Sequence, residues 1–309
     1  TGLLGQYFAS QDPQILKQAA EDEDIIVVFA NGNGGLSGEM SSYDAYINSI
    51  YTVSAQSIQY SGQLSSYAEQ GPNITGSFYN DNDFFGRSSD GIVTTANNNA
   101  YSANFSGTSS AAPMASGVIA LMLEANSDID WRDVVSVFAR VGKNNDPLSD
   151  SWQVNLAGID YSHQYGFGVI HADAAVAGVL NSNYIVSDSA LQVYDPASQA
   201  ANQTLAISGR DADLIEFIEV TLDINGVQAN QDDWAIKLTH QSDGKSSEST
   251  LATAHTAYGS LSYDDWGFSS VVHWGESITG EWSLSVTDRS NNDVSAAVSS
   301  WDIEFFYHQ

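Results

Sequence analysis

Residues 105–117 read Phe-Ser-Gly-Thr-Ser-Ser-Ala-Ala-Pro-Met-Ala-Ser-Gly, and this stretch decides the fold. Gly107 and Thr108 place Ser109 at the start of a helical pattern. A nucleophilic serine needs an exposed hydroxyl, a tight turn and nearby N–H donors for an oxyanion, and Gly-Thr-Ser at a helix start supplies all three. We therefore predict that Ser109 is a nucleophile. The competing interpretation, an ordinary serine cap on a buried helix, suits an isolated Gly-Thr-Ser better than this longer string.

Helical and strand patterns alternate on both sides of that stretch. The continuous apolar run over 25–30 predicts a strand that is covered on both faces, and residues 49–55 predict a second strand. Apolar residues at helical spacing predict a helix through 112–123 and a shorter helix that begins after Asp130. This alternation predicts part of a parallel α/β sheet with helices packed on it.

The hydrophobic period becomes two beyond residue 184. Apolar residues alternate with polar ones in four segments without a helical pattern between them, which predicts an antiparallel all-β sandwich. Asn, Ser and Asp cluster over 180–188, so we predict an α/β domain at 1–182 and a β-sandwich domain at 183–309. The alternating apolar residues are Ile218, Val220, Leu222, Ile224, Trp234, Ile236, Leu238, Trp282, Leu284, Val286, Trp301, Ile303 and Phe305.

The charge balance restricts the partners of the protein. Nine Lys and Arg residues stand against thirty-eight Asp and Glu residues, a formal net charge of −29. Nucleic acid is not an expected partner because phosphate binding depends on Lys and Arg, and an anionic membrane is disfavoured for the same reason. No apolar run reaches the roughly 18–20 residues of a membrane span, and the first residues lack a signal-peptide pattern. The acidic surface suits calcium or a saline environment, and a role in solubility alone explains it equally well.

The serine region resembles that of kexin- and furin-like subtilases. The resemblance lies in residues 107–113 (Gly-Thr-Ser-Ser-Ala-Ala-Pro), 123–126 (Leu-Glu-Ala-Asn) and 131–133 (Trp-Arg-Asp). It implies part of a subtilisin-like catalytic domain with Ser109 as its nucleophile. Subtilases carry the catalytic Asp, His and Ser in that order. The 32 residues before Asn33 contain no histidine, so we expect an upstream segment to supply the Asp and His, and this chain alone to be an incomplete peptidase.

The segment 30–35, Ala-Asn-Gly-Asn-Gly-Gly, resembles the oxyanion-hole segment of the same family. The resemblance implies Asn33 as the side-chain donor to the oxyanion, with Ala30, Asn31 and Gly32 as substrate-binding residues. The segment directly follows a predicted buried strand, and open α/β sheets bind ligands at the carboxyl ends of their strands. By composition alone, Asn33 is a turn residue.

Residues 43–51 resemble the family segment that lines the S1 pocket, which holds the residue before the scissile bond. The resemblance implies that Asp44 binds a basic side chain there and that Glu39 and Glu69 bind a calcium ion (Ca²⁺) below the pocket. Taken singly, each acid has a simpler interpretation as a solvated surface carboxylate. The family often has cysteines around this segment, whereas this sequence has none, so we expect packing and calcium alone to hold it.

Residues 185–309 resemble the P domain of these enzymes, a jelly-roll-like β-sandwich, most clearly at 265–276 and 280–288. In the family this domain supports the catalytic domain and performs no chemistry. We predict that its tryptophans are core residues, and an exposed carbohydrate platform is the alternative. His163 lies in a stretch, 161–168, that resembles a structural segment at the end of the catalytic domain.

The sequence thus predicts a secreted or periplasmic, calcium-dependent serine endopeptidase of the kexin type, which cuts after basic residues through an acyl-enzyme on Ser109. The expected partners are protein or peptide substrates with a basic P1 residue, an N-terminal fragment with the missing Asp and His, and a propeptide or chaperone. Neither nucleic acid nor a membrane is expected. The alternative is a non-catalytic fragment in which the sandwich acts as a binding or scaffold module.

Overall fold

The computed structural model describes residues 14–80, 91–201, 203–224, 234–254, 263, 266–288 and 298–309. It begins with a one-turn helix, α1 (Gln14–Lys17). An α/β part, residues 14–178, precedes an antiparallel β-sandwich, residues 192–308. This succession confirms the predicted fold class. In the described ranges no helix is both long and apolar enough to cross a membrane.

Three parallel strands form the sheet of the α/β part. They are β1 (Val27–Ala30), β2 (Thr52–Ile58) and β3 (Gly76–Tyr79), in the order β1-β2-β3. The middle strand, β2, is buried at every residue. Because the strands are parallel, their carboxyl ends meet at one edge of the sheet, where residues 31–35 follow β1 and Asn80 follows β3.

The strand β1 is shorter and more exposed than its sequence predicts. The apolar run over 25–30 predicts a strand covered on both faces, yet β1 begins at Val27, its residues are half-buried, and Ile25 is 52% exposed. The reason is its position, since β2 is the one described strand that pairs with it. An edge strand of this kind leaves one row of backbone groups without a strand partner.

Two longer helices follow the serine motif. Helix α2 (Thr108–Ala125) packs across the sheet and contacts all three strands, which confirms the helix predicted through 112–123. Helix α3 (Trp131–Val141) begins with a capping box, in which the Asp130 carboxylate accepts two backbone N–H groups of the first turn. Helix α4 (Ala172–Gly178) packs against both of them. The helix predicted after Asp130 is therefore also confirmed.

Two short hairpins complete the α/β part. Strands β4 (Ile92–Ala96) and β5 (Ala100–Phe105) are antiparallel, and β5 leads the chain directly to Gly107 at the start of α2. Strands β6 (Trp152–Val154) and β7 (Asp160–Ser162) form the second hairpin. The first hairpin therefore determines from which side the chain enters the serine turn.

The sandwich has two antiparallel sheets with one apolar core. Its strands are β8 (Gln192–Tyr194), β9 (Gln199–Ala200), β10 (Thr204–Ile207), β11 (Leu214–Ile224), β12 (Trp234–Ser242), β13 (Lys245–Ala252), β14 (Gly267–Ser270), β15 (Gly280–Asp288) and β16 (Val298–His308). One sheet has the order β10-β15-β12-β13 and the other β14-β11-β16-β8, with β9 also on β16. Trp234, Trp282 and Trp301 are buried in the core between them. Trp274 is buried in the core of the α/β part, and Trp266 is half-buried against the sandwich core. The prediction of core tryptophans is therefore confirmed for all of these except Trp266, which stays half-buried.

A buried ion pair joins the α/β part to the sandwich. Arg132 on α3 bonds Glu216 on β11 twice, from Nε to Oε2 at 2.8 Å and from Nη2 to Oε1 at 2.6 Å. The same guanidinium donates to the carbonyl oxygens of Val186 and Ser189, and His308 Nδ1 lies 2.9 Å from Glu216 Oε1. Both charged side chains are buried, so the loss of either partner would leave an unpaired charge in the interior.

A second polar junction surrounds Glu276, which is buried where the sandwich meets the α/β part. Its Oε1 accepts the Leu156 N–H at 2.8 Å, and its Oε2 lies 2.6 Å from His240 Nδ1 and 3.0 Å from His273 Nδ1. The other nitrogen of His240, Nε2, lies 3.2 Å from the Thr279 carbonyl oxygen, so each ring nitrogen faces an oxygen. Burial alone would raise the pKa of Glu276, but the charge of His273 and the hydrogen bonds of both histidines hold that pKa well below its usual range.

We expect Glu216→Gln to lower the free energy of unfolding by about 3 kcal/mol, because the Arg132 cation stays buried without its anion. Glu248→Gln is the matched control, since it breaks an exposed pair with Lys237 at 3.4 Å and should cost less than about 1 kcal/mol. Urea unfolding, followed by tryptophan fluorescence, measures both values. Equal losses in the two variants would show that the buried pair has no special importance.

Candidate active site

Ser109 is the second residue of α2, directly after a tight turn. Gly107 makes this turn at a φ of 83°, which residues with a side chain rarely adopt. The Ser109 side chain is exposed, whereas Thr108 and Ser110 are buried. The N–H groups of Thr108 and Ser110 are bonded, but that of Ser109 has no acceptor in the described part of the chain. A hydroxyl and an unbonded N–H thus stand together at the positive end of an 18-residue helix.

Thr108 holds Asn33 against the same helix start. The Thr108 N–H and hydroxyl both bond Asn33 Oδ1, at 3.0 and 3.1 Å. The hydroxyl also accepts the Gly32 N–H at 3.1 Å. Because a backbone N–H can only donate, the oxygen of the Asn33 amide must face Thr108 and its NH₂ group must face away. The Asn33 oxygen is thus fixed at the start of α2, and the NH₂ group of the same amide is turned away from Thr108.

Asn80 and Tyr67 hold the Gly107 peptide from the side of the sheet. The Asn80 NH₂ group donates to the Gly107 carbonyl at 2.9 Å and to the Tyr67 hydroxyl at 2.7 Å. Asn80 Oδ1 accepts the Ser110 hydroxyl at 2.7 Å, and the Tyr67 hydroxyl accepts the Gly107 N–H at 3.2 Å. Both side chains are buried, so these bonds satisfy the polar groups of the turn inside the protein. The position of Ser109 is therefore fixed on both sides of its turn.

The predicted substrate-binding residues Ala30, Asn31 and Gly32 differ in their surroundings. Ala30 ends β1 and is half-buried. The Asn31 side chain is buried, and both ends of its amide are hydrogen-bonded inside the protein, with the NH₂ group on the Glu69 carbonyl. Gly32 has a φ of 99°, and a Cβ atom there would collide with the Glu69 carboxylate. Asn31 is therefore available to a peptide through its backbone and not through its side chain.

Asp44 follows a 3₁₀ turn, Ser41–Tyr43. Its Oδ1 accepts the N–H groups of Tyr46 and Ile47 at 2.9 and 3.3 Å, which fixes the direction of the carboxylate. The residue is half-buried, and in the described ranges it has no ion pair with a Lys or Arg side chain. Its negative charge is therefore available to a basic ligand.

The segment around Asp44 is held by non-covalent contacts, as its lack of cysteine predicts. Ser42, Tyr43 and Asn48 all hydrogen-bond to the sandwich, which supports the segment from outside the α/β part. The role of calcium there stays a prediction. The neighbouring Ser41 hydroxyl donates to Asn73 Oδ1 within the α/β part. Sequence patterns cannot show these bonds because their partners lie far apart along the chain.

Glu69 is a buried carboxyl group beneath the oxyanion segment. It accepts the Gly34 N–H at 2.9 Å. Burial raises the pKa of Glu69 to about 7; the Gly34 bond opposes this rise, and the charges of Glu39 and Asp44 add to it. A Cβ atom at Gly34 would collide with the Glu39 carboxylate. Both predicted calcium ligands therefore approach the backbone beside Asn33, the predicted oxyanion donor.

The donor chemistry of Glu39 and Glu69 suits a hard cation, because calcium prefers carboxylate oxygens. A complete ion site would need further oxygens, since calcium takes about six to eight. A different set of possible metal ligands lies in the sandwich. Within the described ranges, His240, His273 and Glu276 place their ligand atoms within 4.8 Å of one another. The distances from Glu276 Oε2 to the two histidine Nδ1 atoms are 2.6 and 3.0 Å, shorter than the roughly 3.3 Å between two ligands of one zinc ion, so these contacts are hydrogen bonds.

The described histidines have structural contacts. His163 is half-buried, and its Nε2 accepts the Thr250 N–H at 2.8 Å. Burial, with the charges of His273 and Lys237, lowers the pKa of His163 to about 4. No histidine in the described ranges hydrogen-bonds Ser109, and His255 lies outside those ranges. The remaining described histidines either precede α4 or bond acids of the sandwich, and they are His171, His240, His273 and His308.

Sequence reasoning did not identify Thr108, Tyr67 or Asn80 as site residues. Asn80 directly follows a parallel strand, and the rule that indicated Asn33 applies to it as well. Thr108 lies in the Gly-Thr-Ser string, and its hydroxyl is the one sequence feature that indicates a hydrogen-bonding role at the helix start. Tyr67 lies in an irregular segment, so only the folded chain reveals its contact with Gly107.

Two family models match the chain. That of the subtilase family matches residues 5–168, and that of the proprotein convertase P-domain matches residues 218–305. The first range contains Asn33 and Ser109, and the second contains most strands of the sandwich.

Curated proteases resemble the chain over different parts of its length. Proprotein convertase subtilisin/kexin type 5 of Homo sapiens is 40% identical over 151 residues, which cover 49% of this chain and 8% of that protein. Protease KEX1 of Kluyveromyces lactis is 30% identical over 312 residues, which cover 94% of this chain and 39% of that protein. The chain therefore spans less than half the length of these relatives.

A solved bacterial protease has the same fold. The serine protease of Aeromonas sobria, in complex with the chaperone ORF2, has a TM-score of 0.79 at 20% identity and covers 97% of this chain and 68% of its own. At this identity the likeness concerns the fold alone. The matching family models and the curated relatives show that the chain belongs to the subtilase family, in the kexin- and furin-like group that carries a P domain.

Proposed function

We propose that the chain supplies the nucleophile, the oxyanion hole and the primary specificity pocket of a serine endopeptidase of the kexin type. One observation carries the proposal. Thr108 bonds Asn33 through two of its atoms, which brings an amide NH₂ group and the unbonded N–H of Ser109 to one helix start beside the Ser109 hydroxyl. Two donors beside a nucleophilic hydroxyl are what acyl transfer requires.

In the proposed reaction, the Ser109 oxygen attacks the carbonyl carbon of the scissile peptide bond. The carbonyl oxygen becomes negative and accepts hydrogen bonds from the Asn33 NH₂ group and the Ser109 N–H, at the positive end of α2. The C–N bond then breaks, the amine leaves, and water hydrolyses the remaining acyl ester on Ser109. A histidine takes the serine proton and gives it to the leaving amine. The proposal places this histidine and its aspartate on an upstream segment.

The edge of β1 away from β2 and the exposed face of α2 offer a surface on which such an upstream segment could pack. Strand β1 pairs with β2 alone among the described strands, and Ile25 beside it is 52% exposed. A segment that added a strand to β1 and packed on α2 would bury apolar surface and bring new side chains to Ser109. The exposed residues on the outer face of α2 are Pro113, Ser116, Gly117, Ala120, Leu121 and Glu124.

Asp44 is the proposed selector of a basic P1 residue. Two backbone N–H groups orient its carboxylate, and the described part of the chain provides no ion-pair partner for it. An Arg or Lys side chain would form charge-assisted hydrogen bonds there, which are roughly twice as strong as neutral ones. The proposed substrates are therefore proteins or peptides with a basic residue before the cut.

Calcium at Glu39 and Glu69 is part of the proposal. The two carboxylates repel each other, and both contact the backbone of the oxyanion segment at Gly32 and Gly34. A bound calcium ion would offset this repulsion and stiffen the segment that holds Asn33. It would take no direct part in bond cleavage.

The remaining proposals concern partners and location. The Aeromonas sobria protease was solved with a chaperone, and we extend a chaperone or propeptide partner to this protein. A secreted or periplasmic location accords with the strongly acidic sequence, whose formal net charge is −29.

We expect Asn33→Ala to lower the kcat of the complete protease by about 10²–10³ with little change in KM, as loss of an oxyanion donor does in subtilisin, a protease of the same family. Thr108→Val should produce a smaller fall in kcat, because the Asn33 amide keeps one of its two bonds. Asn183→Ala, at an exposed residue outside the α2 face, is the matched control. Steady-state hydrolysis of a fluorogenic peptide measures these values, and an unchanged kcat in Asn33→Ala would refute the oxyanion role.

We expect Asp44→Asn to lower kcat/KM for a peptide with Arg at P1 by about 10²-fold, because the guanidinium loses its anion. The same variant should cleave a peptide with Leu at P1 as well as the wild type does. Asp160→Asn, at an exposed carboxylate on β7, is the control. A retained preference for Arg in Asp44→Asn would place the selector elsewhere.

We expect calcium to raise the Tm of the wild-type protein by at least about 2 °C over its value with a chelator. Glu69→Gln should lose most of this rise because it removes one buried oxygen charge. Glu124→Gln, at an exposed site on α2, should keep it. Differential scanning calorimetry measures the shift, and an equal rise in Glu69→Gln would exclude Glu69 as a ligand.

A further inference from the structure

Tyr43 reaches from the segment of Asp44 into the sandwich. We call residues 42–48 the S1 segment. The Tyr43 hydroxyl donates to the Thr253 carbonyl at 2.8 Å and accepts the Thr253 N–H at 3.0 Å. Its ring packs on the sandwich core and stacks with Tyr263 at 6.1 Å between centroids. This side chain thus pairs with the backbone beyond β13 as a neighbouring strand would.

Ser42 adds two bonds at the same end of the S1 segment. Its hydroxyl donates to the Leu251 carbonyl on β13 at 2.7 Å. Its own carbonyl accepts the indole N–H of Trp266 at 3.0 Å. The amino end of the S1 segment is therefore attached to the sandwich through both backbone and side chain.

Asn48 attaches the other end of the S1 segment to β14. Its NH₂ group donates to the Gly267 carbonyl, and its Oδ1 accepts the Ser269 N–H at 2.9 Å and the Ser269 hydroxyl at 3.1 Å. Asn48 is buried, so these bonds have no competition from solvent. The Asn48 side-chain amide thus pairs with one backbone carbonyl and one backbone N–H of β14, as a neighbouring strand would.

Asp44 lies between these two attachments, and its carboxylate is oriented by bonds inside the S1 segment itself. A shift of either end would move the carboxylate relative to the oxyanion segment. We propose that the sandwich determines P1 selectivity by fixing the S1 segment, with Tyr43 and Asn48 as its positioning residues. This inference rests on the proposed function of Asp44.

Gln153 provides a matched comparison on the same side of the sandwich. Its amide donates to the Glu248 carbonyl on β13 at 2.7 Å and accepts the Glu248 N–H at 3.2 Å. This is the same kind of paired contact that Tyr43 makes with Thr253. Gln153 belongs to β6, outside the S1 segment, so it tests whether any contact between the two parts affects selectivity.

The test uses the complete protease and compares Tyr43→Phe, Asn48→Ala and Gln153→Ala with the wild type. Active sites are titrated with a small fluorophosphonate, and kcat/KM is measured for two peptides that differ only in Arg or Leu at P1. We expect the Arg-to-Leu ratio to fall by about tenfold or more in Tyr43→Phe and Asn48→Ala, mainly through a higher KM for Arg. Gln153→Ala should keep the wild-type ratio.

One further variant, Asn48→Asp, and the wild type separate the outcomes. Asn48→Asp keeps the acceptor for Ser269 and should show an intermediate ratio. If Asn48→Ala does not fold, Tyr43→Phe carries the test, because it keeps the ring in the core and removes the hydroxyl alone. A wild-type enzyme without preference for Arg would overturn the proposed function itself. A wild-type preference that survives in Tyr43→Phe, or falls equally in Gln153→Ala, would overturn this inference alone.

Discussion

The Thr108 hydroxyl accepts a hydrogen bond from the N–H of Gly32. The same hydroxyl and the Thr108 N–H both donate to Asn33 Oδ1. These bonds join the end of β1 to the start of α2, between residues that lie 75 positions apart. Without them the Asn33 amide would be free to rotate, and its NH₂ group would have no fixed place beside Ser109. The sheet, the Gly107 turn and the buried Asn80 bring the two ends of this link together.

The sandwich contributes to the same geometry from outside the site. It meets the α/β part through directional polar contacts: the Arg132–Glu216 pair, the Glu276 junction, and the bonds to Tyr43 and Asn48. Hydrogen bonds of this kind fix position and register more narrowly than apolar contact does. The sequence contains no cysteine, and the bonds from Ser42, Tyr43 and Asn48 attach the segment around Asp44 to the sandwich.

Local patterns predicted much of the fold and the centre of the site. The helical spacing after Ser109, the cap at Asp130 and the period of two in the sandwich depend on residues close in sequence. The exposure of β1 was not predictable, because the apolar run over 25–30 does not reveal which strands lie beside it. The contact of Tyr43 with Thr253 joins residues 210 positions apart. The raised pKa of Glu69 comes mainly from its burial, and to a smaller extent from acids that only folding brings near. Neither the Tyr43–Thr253 contact nor the pKa of Glu69 produces a periodic pattern in the sequence.

A nucleophilic Ser109 with an oxyanion hole beside it should react with a peptidyl phosphonate that carries Arg at P1. The complete protease is treated with this reagent, and peptide mapping with mass spectrometry then locates the adduct. We expect one covalent adduct, on Ser109, that is absent in Ser109→Ala and forms much more slowly in Asn33→Ala. An adduct on another residue, or none in the complete protease, would contradict this role of Ser109.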